Sequence, residues 1–177
     1  MNVIKYLRLY HATLAITALL AYITGELGII HAWLGYGVAL IIVIRLLWAI
    51  SGESQLGLSK FYPSFEGLKV NNALTHPAIS HTLLAGIALS VIAVTLTGIM
   101  MDQGKAIGLA EMKMITSAFA DDDNGEYGER DEGFLSESHE FLANVMLLFV
   151  GMHITYLILF KRPLALFMLF VPKQDKK

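Results

Sequence analysis

Six histidines are the side chains best suited to chemistry in this sequence, which contains no cysteine. They are His11, His31, His76, His81, His139 and His153. Without cysteine, the chain cannot form disulfides, thiolate zinc sites, iron–sulfur clusters or a covalently attached c-type haem. A metal centre would therefore use imidazole, methionine or oxygen ligands. A histidine on an apolar helix is usually structural, but ionisable groups inside a membrane are costly and tend to be functional.

The spacing of four histidines places them at two matching depths of predicted helices, where "inner" denotes the side of the N-terminus. His139 and His153 are 14 residues apart, so they share a helix face about 21 Å apart along the axis. His11 is level with His153 near the inner side, and His31 is level with His139 near the outer side. Two imidazoles facing each other across a helix bundle can hold one flat metalloporphyrin. The spacing therefore predicts an inner and an outer pair.

Small residues on the same helix faces leave room for a macrocycle. They are Ala15, Ala18, Gly35 and Ala143. In membranes, small residues also simply permit close helix packing, although that alternative does not explain histidines at matching levels. Arg45 follows His31 by 14 residues and returns to the same face near the inner end. It is predicted either to pair with the propionates of an inner porphyrin or to extend to lipid phosphate.

The remaining histidines, His76 and His81, precede and begin the third apolar segment at the inner side. His81 lies about 5 Å deep, which matches the level of His153 less well than His11 does. We predict roles for both in contacts with propionates or with a quinone. His81 is also the alternative to His11 as a metal ligand.

The elements that carry these histidines are too apolar for a soluble domain. The 177 residues are 55% hydrophobic and 16% charged, with a mean hydropathy of +0.59. A membrane span needs about 20 mainly apolar residues, and four windows satisfy this requirement. The predicted spans are residues 4–23, 29–50, 78–101 and 136–160. We expect an all-α fold, a transmembrane four-helix bundle forming one domain over residues 1–177.

Positive charge predicts the orientation of the bundle. Ten of the 13 Lys and Arg residues fall at the side of the N-terminus, so both termini are expected to be cytoplasmic. In this orientation the acidic segment over residues 102–135 is predicted to be an outer loop, and residues 161–177 are predicted to be a tail at the inner interface. The net charge of −2 and the lack of a basic block argue against nucleic-acid binding. The outer loop is expected to be solvated, with docking of a basic partner as the alternative.

Three stretches of the sequence resemble the bacterial cytochrome b561 superfamily, which includes the b-type cytochrome subunits of nickel–iron hydrogenases. The fourth span contains His139-Glu140-Phe-Leu-Ala-Asn144 and then Gly151-Met-His153. The second contains Ile30-His31-Ala-Trp-Leu-Gly35 and then Arg45-Leu-Leu-Trp48, and the first contains Arg8-Leu-Tyr-His11. These segments occur in the order of the family's motifs, over nearly the whole chain. The acidic segment before the fourth span has no counterpart in that pattern.

The resemblance implies two b-type haems, each with two histidine ligands, and electron exchange with a quinone. Carried over residue by residue, the ligands are His11, His31, His139 and His153, the same four that the spacing indicates. The expected function is relay of electrons across the bacterial inner membrane between a quinone and a periplasmic redox partner. That partner would be a cytochrome or a hydrogenase-like subunit docked at the acidic loop. A homodimer is compatible with this interpretation.

Two other functions remain open from the sequence. One is a superoxide oxidase that reduces ubiquinone, which an acidic outer loop does not favour because it repels a small anion. The other is a haem-free bundle, either a histidine-based metal carrier or a structural membrane subunit. The side of the quinone site is also open. The inner candidates are His76, His81 and Arg45, and the outer candidates are Glu26, Trp33 and Tyr36.

Overall fold

The computed structural model describes residues 3–50, 76–109 and 126–168, with side chains for 5–50, 76–109 and 133–168. Within these ranges the chain is helical and has no β-strand, which confirms the all-α prediction. The helices are α1 (Val3–Ile23), α2 (Ile29–Ile50), α3 (Pro77–Asp102), α4 (Glu126–Phe160) and α5 (Arg162–Met168). Most of the predicted acidic loop and the end of the predicted tail lie outside the described residues.

Four of these helices are long and apolar enough to cross a membrane, as predicted. Each exposes large apolar side chains, for example Ile16 on α1, Leu40 on α2, Leu89 on α3 and Leu148 on α4. Such a surface would be unfavourable in water but suits the hydrocarbon interior of a bilayer. Helix α4 begins at Glu126, so the last part of the segment predicted as loop 102–135 is helical.

Local hydrogen bonds explain where the helices begin and end. At the turn between α1 and α2, Thr24 Oγ1 donates to the Leu20 carbonyl at 2.7 Å, and Gly28 adopts a φ of +50°. At the start of α3, His76 Nδ1 accepts the Ala78 N–H at 3.1 Å, and Pro77 occupies the first helical position. His76 therefore caps a helix.

A carboxylate fixes the outer end of α3, the end of the bundle that carries the α1–α2 turn. Asp102 Oδ2 accepts a hydrogen bond from the Tyr36 hydroxyl at 2.8 Å and another from the Ala106 N–H at 3.0 Å. Gln103 ends the helix in the left-handed region with a φ of 51°. These contacts join α2, α3 and the short 3-10 turn Lys105–Ile107.

The helices pack in sequence order, and α3 makes its most extensive contacts with α4. A small apolar core of Val38, Val91 and Met146 lies in the middle of the bundle, one residue from each of α2, α3 and α4. Met146 is seven residues from both His139 and His153 along α4. The core therefore separates an outer from an inner histidine level with apolar side chains.

Gly86 marks a close approach of α3 to α4. A methyl group at this position would lie 2.7–2.9 Å from ring atoms of Phe149, whereas at Gly37, between α1 and α2, it would meet Thr17 Cγ2 at an ordinary 3.6 Å. Gly86→Ala is therefore expected to destabilise the bundle by about 1–3 kcal/mol, the usual cost of overpacking. Thermal unfolding in detergent should show a lower midpoint than for Gly37→Ala. Equal midpoints would contradict this account of the α3–α4 contact.

Candidate functional site

The structure brings the predicted outer pair of histidines together. The ring centroids of His31 and His139 are 5.8 Å apart, and the rings are nearly perpendicular at 86°. Helices α2 and α4 do not pack closely against each other, so these two rings approach across an open part of the bundle.

Each outer imidazole forms a hydrogen bond through Nδ1. His31 Nδ1 lies 2.9 Å from the Ala21 carbonyl oxygen on α1, and His139 Nδ1 lies 3.0 Å from Thr97 Oγ1 on α3. Both rings are therefore held on the nitrogen nearer the backbone, which leaves Nε2 for a ligand. Metal-binding histidines characteristically use one ring nitrogen for the metal and the other for such a hydrogen bond.

The outer rings lie on a cavity of about 830 Å³ at the outer half of the bundle. This volume is within the range of small-molecule and cofactor sites, roughly 300–1,000 Å³. Small residues predicted to make room, Ala18, Gly35 and Ala143, line it. A methyl group at Gly35 would meet no atom within 4 Å. The cavity and its two imidazoles therefore fit a flat macrocycle with a central metal.

Polar side chains surround the outer mouth of this cavity. The cavity lining includes Glu26, Tyr36, Asp102, Lys105 and Glu140. Three of these are carboxylates, and one is a cation. Of the outer quinone candidates, Glu26 and Tyr36 line the cavity, whereas Trp33 is 58% exposed and does not.

The predicted inner pair is arranged more openly. His153 on α4 is within electrostatic range of His11 on α1, although these helices do not pack closely. His11 is exposed and His153 is half-buried. The Nδ1 atom of His153 is buried without a hydrogen-bond partner among the described residues.

The inner ends of α1 and α2 carry two arginines. Arg45 is half-buried and interacts electrostatically with Tyr10, whose ring centroid lies 6.5 Å from that of Trp48. The Arg8 guanidinium lies 4.3 Å from the centroid of the Phe167 ring, which joins α1 to α5. The described part of the predicted tail thus folds back against the bundle.

The register of α3 and α4 brings two further polar groups to one level. Thr97 meets His139 and Gly86 meets Phe149, so the two helices run antiparallel in a regular register. Continuing this register five residues from Gly86 toward the inner end of α3 reaches His81, whose level on α4 is within about one turn of Tyr156. The Tyr156 hydroxyl and His81 Nδ1 are both buried and form no hydrogen bond among the described residues. Tyr156 itself is only 6% exposed.

Four residues near the sites carry contacts that the sequence analysis did not identify: Thr97, Gly98, Tyr156 and Asn144. Gly98 is small where the His139 ring packs, since a methyl group there would lie 3.1 Å from Cε1. Asn144 Oδ1 accepts a hydrogen bond from the Tyr22 hydroxyl at 2.9 Å, linking α4 to α1. Of these features, only the matching depth of Tyr156 and His81 could have been found by counting residues along the predicted helices.

A conventional metal site is not formed by the residues that the structure describes. No three His, Asp or Glu side chains among them are grouped so as to hold a metal ion. The imidazoles approach in a pair instead, which is the arrangement that an iron porphyrin requires.

A bundle of four apolar helices with paired imidazoles at a cavity defines a membrane haem cytochrome. The chain matches the family model for prokaryotic cytochrome b561 over residues 4–170 and belongs to this family. It is thus a multi-pass membrane b-type cytochrome that binds haem and transfers electrons. Comparisons with curated proteins and with solved structures gave no match.

Proposed function

We propose that the protein holds two b-type haems and relays electrons across the bacterial inner membrane between a quinone and a periplasmic redox partner. In this proposal His31 and His139 ligate the outer haem, and His11 and His153 ligate the inner haem. Both termini are cytoplasmic. The observation that carries the proposal is the approach of the His31 and His139 rings, each held through Nδ1.

A haem with two imidazole ligands has no vacant coordination position, so it supplies one-electron exchange rather than substrate chemistry. The protein's own residues orient the imidazoles and exclude water from the space between the two levels. Val38, Val91 and Met146 perform the second task. Arg45, near the inner pair, is suited to neutralise propionates.

The outer mouth favours a protein partner over a small anionic substrate. Glu26, Asp102 and Glu140 outnumber Lys105 there. A net negative rim repels superoxide and attracts a basic surface, because charge at a binding face steers encounter. We therefore keep the periplasmic cytochrome or hydrogenase-like subunit as the proposed partner and give superoxide no role.

The quinone is proposed to bind at the inner side, between the inner ends of α3 and α4. Two buried donors there, the Tyr156 hydroxyl and His81, form no hydrogen bond within the described chain. A quinone carbonyl oxygen is an acceptor that would satisfy them, and an apolar groove along α4 beside Tyr156 suits the isoprenoid tail of a quinone. The groove beside Tyr156 is lined by Leu147, Met152 and Leu159, among others.

Tyr156→Phe is expected to slow electron exchange with quinone while leaving the haem content unchanged. The change removes one hydrogen bond to the quinone carbonyl, which corresponds to a rate lower by about two- to tenfold. The measurement is stopped-flow re-oxidation of the dithionite-reduced protein by a short-chain quinone, followed at the haem α-band. Tyr6→Phe is the matched control, because Tyr6 is half-exposed at the inner end of α1.

The proposed inner quinone site is contradicted if both tyrosine variants react at the wild-type rate. The wider proposal is contradicted if reduced wild-type protein is not re-oxidised by quinone at all. A loss of haem in Tyr156→Phe would instead assign the hydroxyl to the haem pocket and overturn its role toward quinone.

A further inference from the structure

Thr97 differs from the other threonines of the membrane helices in what its hydroxyl contacts. Thr97 Oγ1 lies 3.1 Å from the Ala93 carbonyl oxygen and 3.0 Å from that of Val94, and it also lies 3.0 Å from His139 Nδ1. Thr13 Oγ1 by comparison donates only to the Leu9 carbonyl, at 2.9 Å. Thr97 thus connects the backbone of α3 to an imidazole of α4.

The carbonyl contacts of Thr97 favour one direction for its hydrogen bond to His139. Carbonyl oxygens only accept, so Thr97 Oγ1 satisfies its contacts with the Ala93 and Val94 carbonyls by donating its single proton to its own helix. In this arrangement the Thr97 oxygen accepts a proton from His139 Nδ1. The same reasoning applies to His31, whose Nδ1 must donate to the Ala21 carbonyl. In both rings the lone pair is therefore on Nε2, the nitrogen that can bind iron.

We propose that Thr97 is a positioning residue that holds the His139 imidazole as the Nδ1–H tautomer and lowers the reduction potential of the outer haem. This inference rests on the proposed function, in which His31 and His139 ligate that haem. A hydrogen bond from Nδ1–H makes the imidazole a stronger electron donor, and a stronger donor favours the oxidised iron. Gly98 supports this role, because its lack of a side chain lets the ring lie against α3.

The inner level shows no equivalent arrangement in the part of the chain that the structure describes. The Nδ1 atom of His153 is buried without a hydrogen-bond partner there. Thr97 consequently acts on one haem and not on the other. Its replacement should change one of two redox components.

The test is a spectroscopic redox titration of Thr97→Val in a His153→Ala background, where only the outer haem is expected to remain. At a fixed solution potential, the ratio of reduced to oxidised haem in Thr97→Val should be about two- to tenfold higher than in the parent, the effect of one hydrogen bond. Thr97→Ser keeps the hydroxyl and should titrate like the parent. Thr13→Val makes the same chemical change away from the site and should also titrate like the parent.

Each outcome decides the assignment. An unchanged ratio in Thr97→Val overturns the inference while leaving the ligand proposal intact. Loss of the outer haem in Thr97→Val, with retention in Thr97→Ser, supports the positioning role. If the His153→Ala parent binds no haem at all, the ligand proposal is contradicted and the inference is overturned with it.

Discussion

Replacing His139 with alanine is expected to remove one haem and leave the other in place. The structure sets His139 opposite His31, whereas His153 lies 14 residues further along α4 and within electrostatic range of His11. The apolar core around Met146 separates the two levels. His139→Ala and His153→Ala should therefore each reduce haem per polypeptide to about half, and the double variant should bind none. Pyridine haemochrome quantification against protein concentration measures this directly.

The matched control uses a histidine that the structure assigns to helix capping. His76 accepts the Ala78 N–H at the start of α3. His76→Asn retains a capping side chain and is expected to keep both haems. Full haem content in both single ligand variants would show that His139 and His153 are not ligands.

Gly98→Val is expected to eliminate the outer haem without altering any ligand. A methyl group at Gly98 would already lie 3.1 Å from His139 Cε1, and valine adds two further carbons toward the ring. The His139 imidazole must then move away from Thr97 and from the level of His31. Haem per polypeptide should fall to about half, as for His139→Ala. Gly133→Val is the control, because a methyl group at Gly133 meets no atom within 4 Å.

The remaining haem should identify which level is affected by Gly98→Val. Combining this substitution with His153→Ala should give a protein with no haem, whereas combining it with His139→Ala should cause no further loss. The opposite pattern would place the Gly98 contact at the inner level and contradict the register of α3 and α4 derived from it.

The sequence predicted the fold well because membrane spans depend on composition. Windows such as residues 29–50 contain enough apolar residues to define a helix, and α2 covers the same residues. The start of α4 could not be predicted in the same way. It lies at Glu126, within a polar segment where apolar content gives no signal.

Histidine levels could likewise be counted from the sequence, since helical rise converts residue numbers into depth. The hydrogen-bond partners of the rings could not. Thr13, Thr95 and Thr97 each bond a carbonyl of the preceding turn, as threonines in membrane helices commonly do. Only the rotation of α3 relative to α4 determines that Thr97 also reaches His139. That rotation is a property of tertiary packing.

The contacts of His76 likewise could not be predicted from its residue type and position alone. Its position at the inner mouth of the third span suggested contact with a propionate or a quinone. The structure shows its Nδ1 atom capping α3, a role that its position in the sequence did not indicate, and the contact with a propionate or a quinone stays a prediction. A histidine two residues before the first helical N–H groups can accept one of them, but residue type alone does not separate that role from ligand binding.

An experimental density map of the purified, haem-containing protein in lipid nanodiscs tests the central claim most directly. The account predicts two porphyrins, one between His31 and His139 and one between His11 and His153, with the apolar core around Met146 between them. A map with no porphyrin, with a single one, or with iron on other side chains such as His81 would contradict it.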